Sequence, residues 1–182
     1  MSHQTSSSDK RAGETAASPS DAQAQQIAEA VRDAMMARDN VFQSLGMQVL
    51  QVAAGSATLA MMVRADMLNG HAICHGGMIT TLADTAFAYA CNSRNTLTVA
   101  SSITIDLLLP AHEGDLLTAR CRQQHGGGRM GLYDCDVSDQ HGRRIAIFRG
   151  HSYAMNGRTV IDALPAAGGG SANRMPRQEQ QQ

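Results

Sequence analysis

The stretch from Gly76 to Cys91, GGMITTLADTAFAYAC, constrains the fold of this chain more than any other. It runs for sixteen residues without a turn signal after its opening glycines, which is longer than a usual β-strand. The stretch therefore predicts a helix of about four turns. Because such a helix is apolar nearly all round, other elements must enclose it. A sheet could cover one side, and a second copy of the chain could close the other.

Asp84 is the lone charged residue of this predicted helix. Its neighbours one turn away, such as Thr80 and Ala88, offer no cation to pair with it. Burying an unpaired carboxylate is costly, so two interpretations remain. Either Asp84 lies on a solvated stripe of the helix, or it reaches a cleft and takes part in a reaction there.

The residues His75, Gly76 and Gly77 open the helix and indicate a second chemical feature. The first amides of a helix lack intrahelical acceptors, and the positive end of the helix dipole lies behind them. Glycines let a ligand approach this backbone closely, so a polarised carbonyl could bind there. A tight turn that enters a helix would explain the same glycines.

The segments around the helix show the two-residue period of strands. Leu59, Met61 and Val63 share one face in a hairpin predicted from Gly46 to Asp66. Four further strands are predicted near 97–109, 115–125, 129–139 and 143–154. Their inward faces are predicted to carry Ile103, Ile105, Leu107 and Leu109 in the first, and Ile145 and Ile147 in the last. Short connections favour antiparallel neighbours, so the fold class is α+β, with an antiparallel sheet wrapped around a long central helix.

The domain boundaries follow from composition and local pattern. At 182 residues with 43% hydrophobic content, the chain suits one domain, predicted at 21–157. It opens with a short helix that runs to about Asp39, since Ser20 and Gln23 form a capping-box pattern ahead of apolar residues at helical spacing. Residues 1–20 and 165–182 are polar and aperiodic, which predicts disordered tails.

Charge and cysteine content narrow the possible partners. A net charge of −1 gives no general attraction to nucleic acid or to an anionic membrane, and no apolar run is long enough to span a bilayer. The four cysteines form no CxxC pair and no secretory signal precedes them, which predicts free thiols in the cytoplasm. His71, Cys74 and His75 lie close together but make no complete ligand set, so no metal is expected.

The stretch MLNGHAICHGGMITTLADTAFAYACNS resembles the hotdog-fold acyl-CoA thioesterases, most closely the PaaI type of phenylacetate degradation. The likeness runs from about Asp39 through Tyr153 and includes TIDLLLP and GLYDCDV. It implies hydrolysis of aryl- or arylacetyl-CoA thioesters, such as phenylacetyl-CoA or hydroxyphenylacetyl-CoA, without a metal or other cofactor. The unpaired edge of the predicted sheet and the enclosed helix predict a homodimer, and the resemblance implies that two such dimers form a homotetramer.

The resemblance assigns roles to particular residues. Asp84 would be the catalytic carboxylate, as general base for water or as nucleophile, and Gly76 would donate its amide to the thioester oxygen. Asn69 and His75 would position water, carbonyl and loop, although His75 could also serve only to order the backbone. Gly77 and Arg129 are expected to contact substrate. Many relatives carry basic residues where this chain has Leu109 and Gly128, which weakens the inference for the phosphates of CoA.

Two other functions on the same fold stay open at this point. A hydratase or dehydratase would pair a carboxylate with a histidine, yet no histidine lies within one helical turn of Asp84. A module that only binds acyl-CoA would leave Asp84 unexplained. The GxGxxG pattern from Gly126 to Gly131 joins two strand patterns, so it predicts a hairpin rather than a dinucleotide site.

Spacing predicts that each active site is shared by two chains. Gly76 and Asp84 are eight residues apart, which separates their backbones by about 12 Å on a helix. That is too far for one thioester to meet both groups. Antiparallel packing of two central helices would bring Asp84 of one chain opposite Gly76 and Asn69 of the other.

Overall fold

The computed structural model describes residues 20–164, so the two predicted tails lie outside the described residues except for Ser20. The helices are α1 (Asp21–Met36), α2 (Asn40–Ser44) and α3 (Gly76–Asn92), with a short 3₁₀ turn at Ala65–Met67. The strands are β1 (Gln48–Ala53), β2 (Ser56–Met62), β3 (Thr98–Leu107), β4 (Leu116–Gly127), β5 (Met130–Ser138) and β6 (Arg144–Ala154). The predicted antiparallel sheet around a central helix is confirmed.

The six strands form one sheet in the order β1-β2-β4-β5-β6-β3, and every neighbouring pair is antiparallel. The expectation that the last four strands are sequential neighbours is wrong for β3, which pairs with β6. The connection from Leu108 to Asp115 instead carries the chain across to β4, beside β2. The strand β3 is consequently an edge of the sheet.

Helix α3 packs across one face of this sheet and supplies much of the core. Leu82, Ala86 and Phe87 are buried, and the Phe87 ring packs edge-on against Tyr133 at 5.3 Å between ring centroids. Each buried aromatic side chain of this kind stabilises the fold through its large apolar area. Within residues 20–164, no helix is both long and apolar enough to cross a membrane.

The N-terminal helix begins where the capping pattern predicts and ends earlier than expected. The Ser20 hydroxyl accepts the Gln23 N–H at 3.3 Å, but α1 stops at Met36 rather than near Asp39. The Asp39 carboxylate accepts the Phe42 N–H at 2.9 Å and so starts the separate helix α2. A residue suited to an N-cap has therefore divided one predicted helix into two.

Four side chains predicted to face inward are exposed: Ile103, Leu107, Leu109 and Ile147. Ile103 and Leu107 do face the α3 side of the sheet, at its uncovered edge, whereas the predictions for Leu109 and Ile147 are wrong. Leu109 lies beyond the end of β3, while on β6 the buried side chains are Ala146 and Phe148. A register shift between Val137 and Ser138 buries the adjacent Ile145 as well and leaves Ile147 on the outer face. A β-bulge of this kind changes which residues of a strand face inward, and sequence alternation does not reveal it.

The prediction of four free thiols is wrong for two of them. Cys121 on β4 and Cys135 on β5 lie directly opposite each other beneath α3 and form a disulfide, whereas Cys74 and Cys91 are buried free thiols. The residues lie far apart in sequence, and the β4–β5 register brings them together. Because two of the four cysteines are not free thiols, cysteine content no longer supports the cytoplasmic location, which stays a prediction.

Candidate active site

The start of α3 presents one backbone amide for a ligand. His75 is the N-cap, and its Nδ1 accepts the Gly77 N–H at 2.9 Å, while its carbonyl accepts the Met78 N–H at 2.8 Å. Among residues 20–164, the Gly76 N–H has no hydrogen-bond acceptor. The Gly76 amide is thus free to donate to an oxyanion, with the positive end of the helix dipole behind it.

The hydrogen bond of the N-cap also determines which tautomer the neutral His75 ring adopts. Because Nδ1 accepts a hydrogen bond, the neutral ring carries its proton on Nε2. The side chain is exposed, so this Nε2–H can donate outward to a substrate. His75 can therefore order the backbone and act on a ligand at the same time.

Asn69 lies in the loop before the helix, and the oxygen of its side-chain amide already accepts a hydrogen bond. Its Oδ1 accepts the His71 N–H at 2.9 Å, which leaves the side-chain NH₂ group to donate. The same loop holds Ala72 at a φ of 56°, a left-handed conformation that is strained for a residue with a side chain. This tight loop brings Asn69 to the same cavity as Gly76.

That cavity, which we call the helix-start cavity, has a volume of about 390 Å³. Its walls are the residues Asn69, Ile73, Cys74, Gly76, Ile79, Leu107, Leu108, Leu109 and Pro110. Most of this lining is apolar, and the donors of Asn69 and Gly76 belong to it. A mostly apolar cavity with a few convergent polar groups is typical of a small-molecule site. Burial raises the pKa of the Cys74 thiol, which keeps it protonated and a poor nucleophile.

Asp84 lies on a partly exposed stripe of α3 together with Gly77, Thr81 and Ala88. Within the described part of the chain its carboxylate has no hydrogen-bond or salt-bridge partner. Burial raises the pKa of Asp84 above the ordinary aspartate value, because no neighbouring charge offsets the loss of solvent. The carboxylate therefore makes no polar contact that would hold the fold together within the described residues.

The structure brings some of the predicted site residues together and separates others. Asn69 and Gly76 line the helix-start cavity and His75 adjoins Gly76 as the N-cap, whereas Asp84 lies about two turns further along the same helix. Arg129 lines a different cavity near the far end of α3. Gly77 has its N–H occupied by the His75 ring, so its amide is not a second donor.

Leu107 is a site residue that sequence reasoning placed only in the core. Its side chain lies against Gly76, so close that a Cβ built on that glycine would be 2.6 Å from Leu107 Cδ1. The alternation of apolar and polar residues along β3 indicated that Leu107 faces inward. It could not show that Leu107 covers the start of α3.

His71, Cys74 and His75, considered above as metal ligands, do not form a metal centre here. Between residues 20 and 164, no three His, Cys, Asp or Glu side chains are grouped so that they could hold a metal ion.

Comparison with known proteins identifies the class to which this site belongs. The profile of the thioesterase superfamily matches residues 71–146, which run from the loop before α3 into β6. The acyl-coenzyme A thioesterase PaaI of Escherichia coli K12 is 45% identical over 130 residues, covering 71% of this chain and 93% of that protein.

Solved structures agree with the sequence comparison. The E. coli PaaI protein from the phenylacetic acid degradation operon superposes with a TM-score of 0.72 at 43% identity, covering 74% of this chain and 97% of that one. A mutant of the phenylacetic acid degradation protein PaaI from Thermus thermophilus gives a TM-score of 0.62 at 36% identity, covering 64% and 100%.

The chain therefore belongs to the thioesterase superfamily and is a thioester hydrolase. Within that superfamily it belongs to the hotdog-fold acyl-CoA thioesterases of the PaaI type.

Proposed function

We propose that this thioesterase hydrolyses aryl- or arylacetyl-CoA esters, of the phenylacetyl-CoA or hydroxyphenylacetyl-CoA kind, in the breakdown of aromatic compounds. The observation that carries the proposal is the free Gly76 amide beside Asn69 in a mostly apolar cavity of about 390 Å³. Two hydrogen-bond donors there suit a carbonyl oxygen, and the apolar walls suit an aromatic acyl group. The E. coli relatives named for acyl-coenzyme A and for phenylacetic acid degradation support the same substrate class.

We further propose that the working enzyme is a homodimer, with two dimers in a tetramer. The edge strand β3 and the turn after it expose five apolar side chains, each at least 41% accessible: Val99, Ile103, Leu107, Leu108 and Leu109. Ile103 and Leu107 pair with the buried Gly150 and Ala146, so they face the same side of the sheet as α3. This exposed apolar edge lies on the same side of the sheet as the partly exposed stripe of α3. Together they form a surface that a second copy of the chain would cover.

Such a dimer completes the site. With the two α3 helices antiparallel, Asp84 of one copy faces Gly76 and Asn69 of the other. The thioester carbonyl then accepts the Gly76 N–H and an Asn69 N–H, and Asp84 approaches the carbonyl carbon from across the interface. The donors stabilise the oxyanion that forms when the carbonyl is attacked.

Two reaction courses use this arrangement. As a general base, Asp84 takes a proton from water while the water oxygen bonds to the carbonyl carbon, and the C–S bond then breaks. As a nucleophile, Asp84 bonds to the carbonyl carbon, CoA thiolate leaves, and water hydrolyses the resulting anhydride. Both courses release a carboxylic acid and CoA; the departing thiolate takes the proton that water gives up, and the neutral His75 ring donates a hydrogen bond to it through Nε2–H without losing its own proton. In the second course, a single turnover in ¹⁸O-labelled water leaves label in the Asp84 carboxylate when water adds to the Asp84 carbon of the anhydride, whereas the first course leaves no label there.

The substrate class is tested by thiol release from a panel of CoA esters. We expect phenylacetyl-CoA and hydroxyphenylacetyl-CoA to give the highest kcat/KM, with straight-chain acyl-CoA esters of similar carbon number well below them. Equal or faster hydrolysis of the straight-chain esters would contradict an aromatic preference. The chain belongs to a family of hydrolases, so we propose neither a hydratase nor a module that only binds acyl-CoA.

A further inference from the structure

The partly exposed stripe of α3 carries a second oxygen group beside Asp84, the hydroxyl of Thr81. Thr81 precedes Asp84 by three residues, so the two side chains lie on one face of the helix with their Cβ atoms about 5–6 Å apart. Side chains of a helix lean toward its N-terminus, which brings the Asp84 carboxylate back over the turn that holds Thr81. The carboxylate and the hydroxyl therefore border the same small region of the open stripe.

The hydrogen bonding of Thr81 determines what its hydroxyl can offer there. Its Oγ1 donates to the Gly77 carbonyl at 2.8 Å, so the hydroxyl proton is already used and is not donated to Asp84. A hydroxyl oxygen that has donated its one proton still has lone pairs that accept hydrogen bonds. Because the bond to Gly77 is exposed, those lone pairs can be reached from outside the helix. Thr81 is thus a fixed acceptor next to a carboxylate that is also an acceptor.

Two acceptors on one helical face suit a single water molecule. Water has two O–H groups, and a general base removes the proton of only one of them. When Asp84 accepts one O–H and Thr81 accepts the other, the lone pairs of the water oxygen are directed away from the helix. In the proposed site, the carbonyl carbon of the thioester lies in that direction. A water held through both protons attacks without first losing its rotational freedom, which lowers the barrier.

The two neighbouring threonines are less suited to this role. Thr85 donates to the Thr81 carbonyl at 2.8 Å in the same manner, but it is only 8% exposed. Thr80 donates to the Gly76 carbonyl at 2.8 Å in a partly buried position. Of these three hydroxyls, that of Thr81 makes its hydrogen bond at the most exposed place on the helix.

We propose that Thr81 orients the water that attacks the thioester, by accepting one of its O–H groups while Asp84 takes the proton of the other. The water oxygen bonds to the carbonyl carbon, and the C–S bond breaks. The proton taken by Asp84 passes to the departing CoA thiolate, and the O–H held by Thr81 becomes the hydroxyl of the acid product.

The proposal rests on the proposed function, because it makes Asp84 a general base. It does not depend on which acyl group is preferred. It also does not depend on whether the site is shared, since Thr81 and Asp84 belong to one helix.

The test compares Thr81→Val with the matched control Thr85→Val. Valine keeps the shape of threonine, and each change removes a hydroxyl that donates to a helix carbonyl. Single-turnover rates are measured with the CoA ester that the wild type hydrolyses fastest, so that product release does not mask the chemical step. We expect Thr81→Val to lower the maximal rate about tenfold, the effect of one lost hydrogen bond, without changing the enzyme concentration at half-maximal rate. Thr85→Val should keep the wild-type rate.

Two further variants separate orientation of water from a structural role. Thr81→Ser keeps the hydroxyl and should recover most of the rate. In an Asp84→Asn chain, Thr81→Val should cause little further loss, because no base-activated water is left to orient. Failure of serine to recover the rate, or a full tenfold further loss in the Asp84→Asn chain, would overturn the proposal.

Other results would also refute the role of Thr81. They are a wild-type rate in Thr81→Val, an equal loss in Thr85→Val, or a tenfold loss in Thr80→Val with none in Thr81→Val. Label from ¹⁸O-labelled water in the Asp84 carboxylate would refute it as well, because water would then have attacked the anhydride. Failure of the proposed function would look different, since Asp84→Asn alone would then keep the wild-type rate.

Discussion

Leu107 Cδ1 lies against the backbone of Gly76, only 2.6 Å from the position that a Cβ on that residue would occupy. A leucine at the end of the edge strand β3 thus covers the first residue of α3, whose N–H is free for an oxyanion. A side chain at position 76 would require Leu107 Cδ1 or the backbone to move.

Gly76→Ala is expected to lower kcat/KM by about 10²-fold or more, because the new methyl group must displace Leu107 or shift the amide. The matched control is the double variant Gly76→Ala with Leu107→Ala, which makes room for the methyl group and should recover part of the loss. Steady-state kinetics of both variants and of Leu107→Ala alone give the comparison. No recovery in the double variant would show that the contact with Leu107 is not the cause.

Asp84→Asn is expected to bind CoA esters as well as the wild type and to hydrolyse them about 10²-fold or more slowly. The amide keeps the shape of the side chain and removes the basic oxygen. Kd from calorimetry and kcat from thiol release separate the two effects. Retention of wild-type kcat would exclude Asp84 from the reaction.

The pH dependence of the rate should report the burial of Asp84. The ionised carboxylate is the active form, and burial raises its pKa above the ordinary aspartate value of about 3.9. Activity should therefore fall as pH is lowered through a midpoint above that ordinary value. The profile of kcat/KM against pH measures this midpoint, and the acid limb should be absent from the residual activity of Asp84→Asn. A midpoint at or below about 3.9 would contradict the prediction.

His75→Asn and His75→Ala together distinguish capping from catalysis. Asparagine can still accept the Gly77 N–H as an N-cap, so His75→Asn should unfold close to the wild-type temperature, whereas His75→Ala should lose about 1 kcal/mol of stability. We expect both variants to lose about tenfold or more in kcat, because neither has the Nε2–H donor. Full activity in His75→Asn would mean that the ring only orders the backbone.

Subunit exchange tests whether each site is shared. A mixture of Asp84→Asn chains with Asn69→Ala chains places both defects in one site of a mixed dimer and none in the other. With random pairing, activity should return to up to about a quarter of wild type. Exchange is verified by mass spectrometry. If exchange occurs and activity stays at the level of the separate variants, each chain carries its own complete site.

The sequence by itself determined the elements whose cause is local. The apolar run after Gly76 made α3 a helix, alternation around Leu59 made β2 a strand, and Ser20 started α1, since each depends on neighbours a few residues away. The motif from Met67 to Ser93 also indicated the family, which the relatives confirm.

Only the tertiary structure decided which distant segments meet. It placed β3 beside β6, joined Cys121 to Cys135, and set Leu107 over Gly76. It also put Arg94 and Arg129 around one cavity, although they come from different loops. Sheet order, strand register and side-chain packing set these contacts, and they depend on the whole core fitting together rather than on any local pattern.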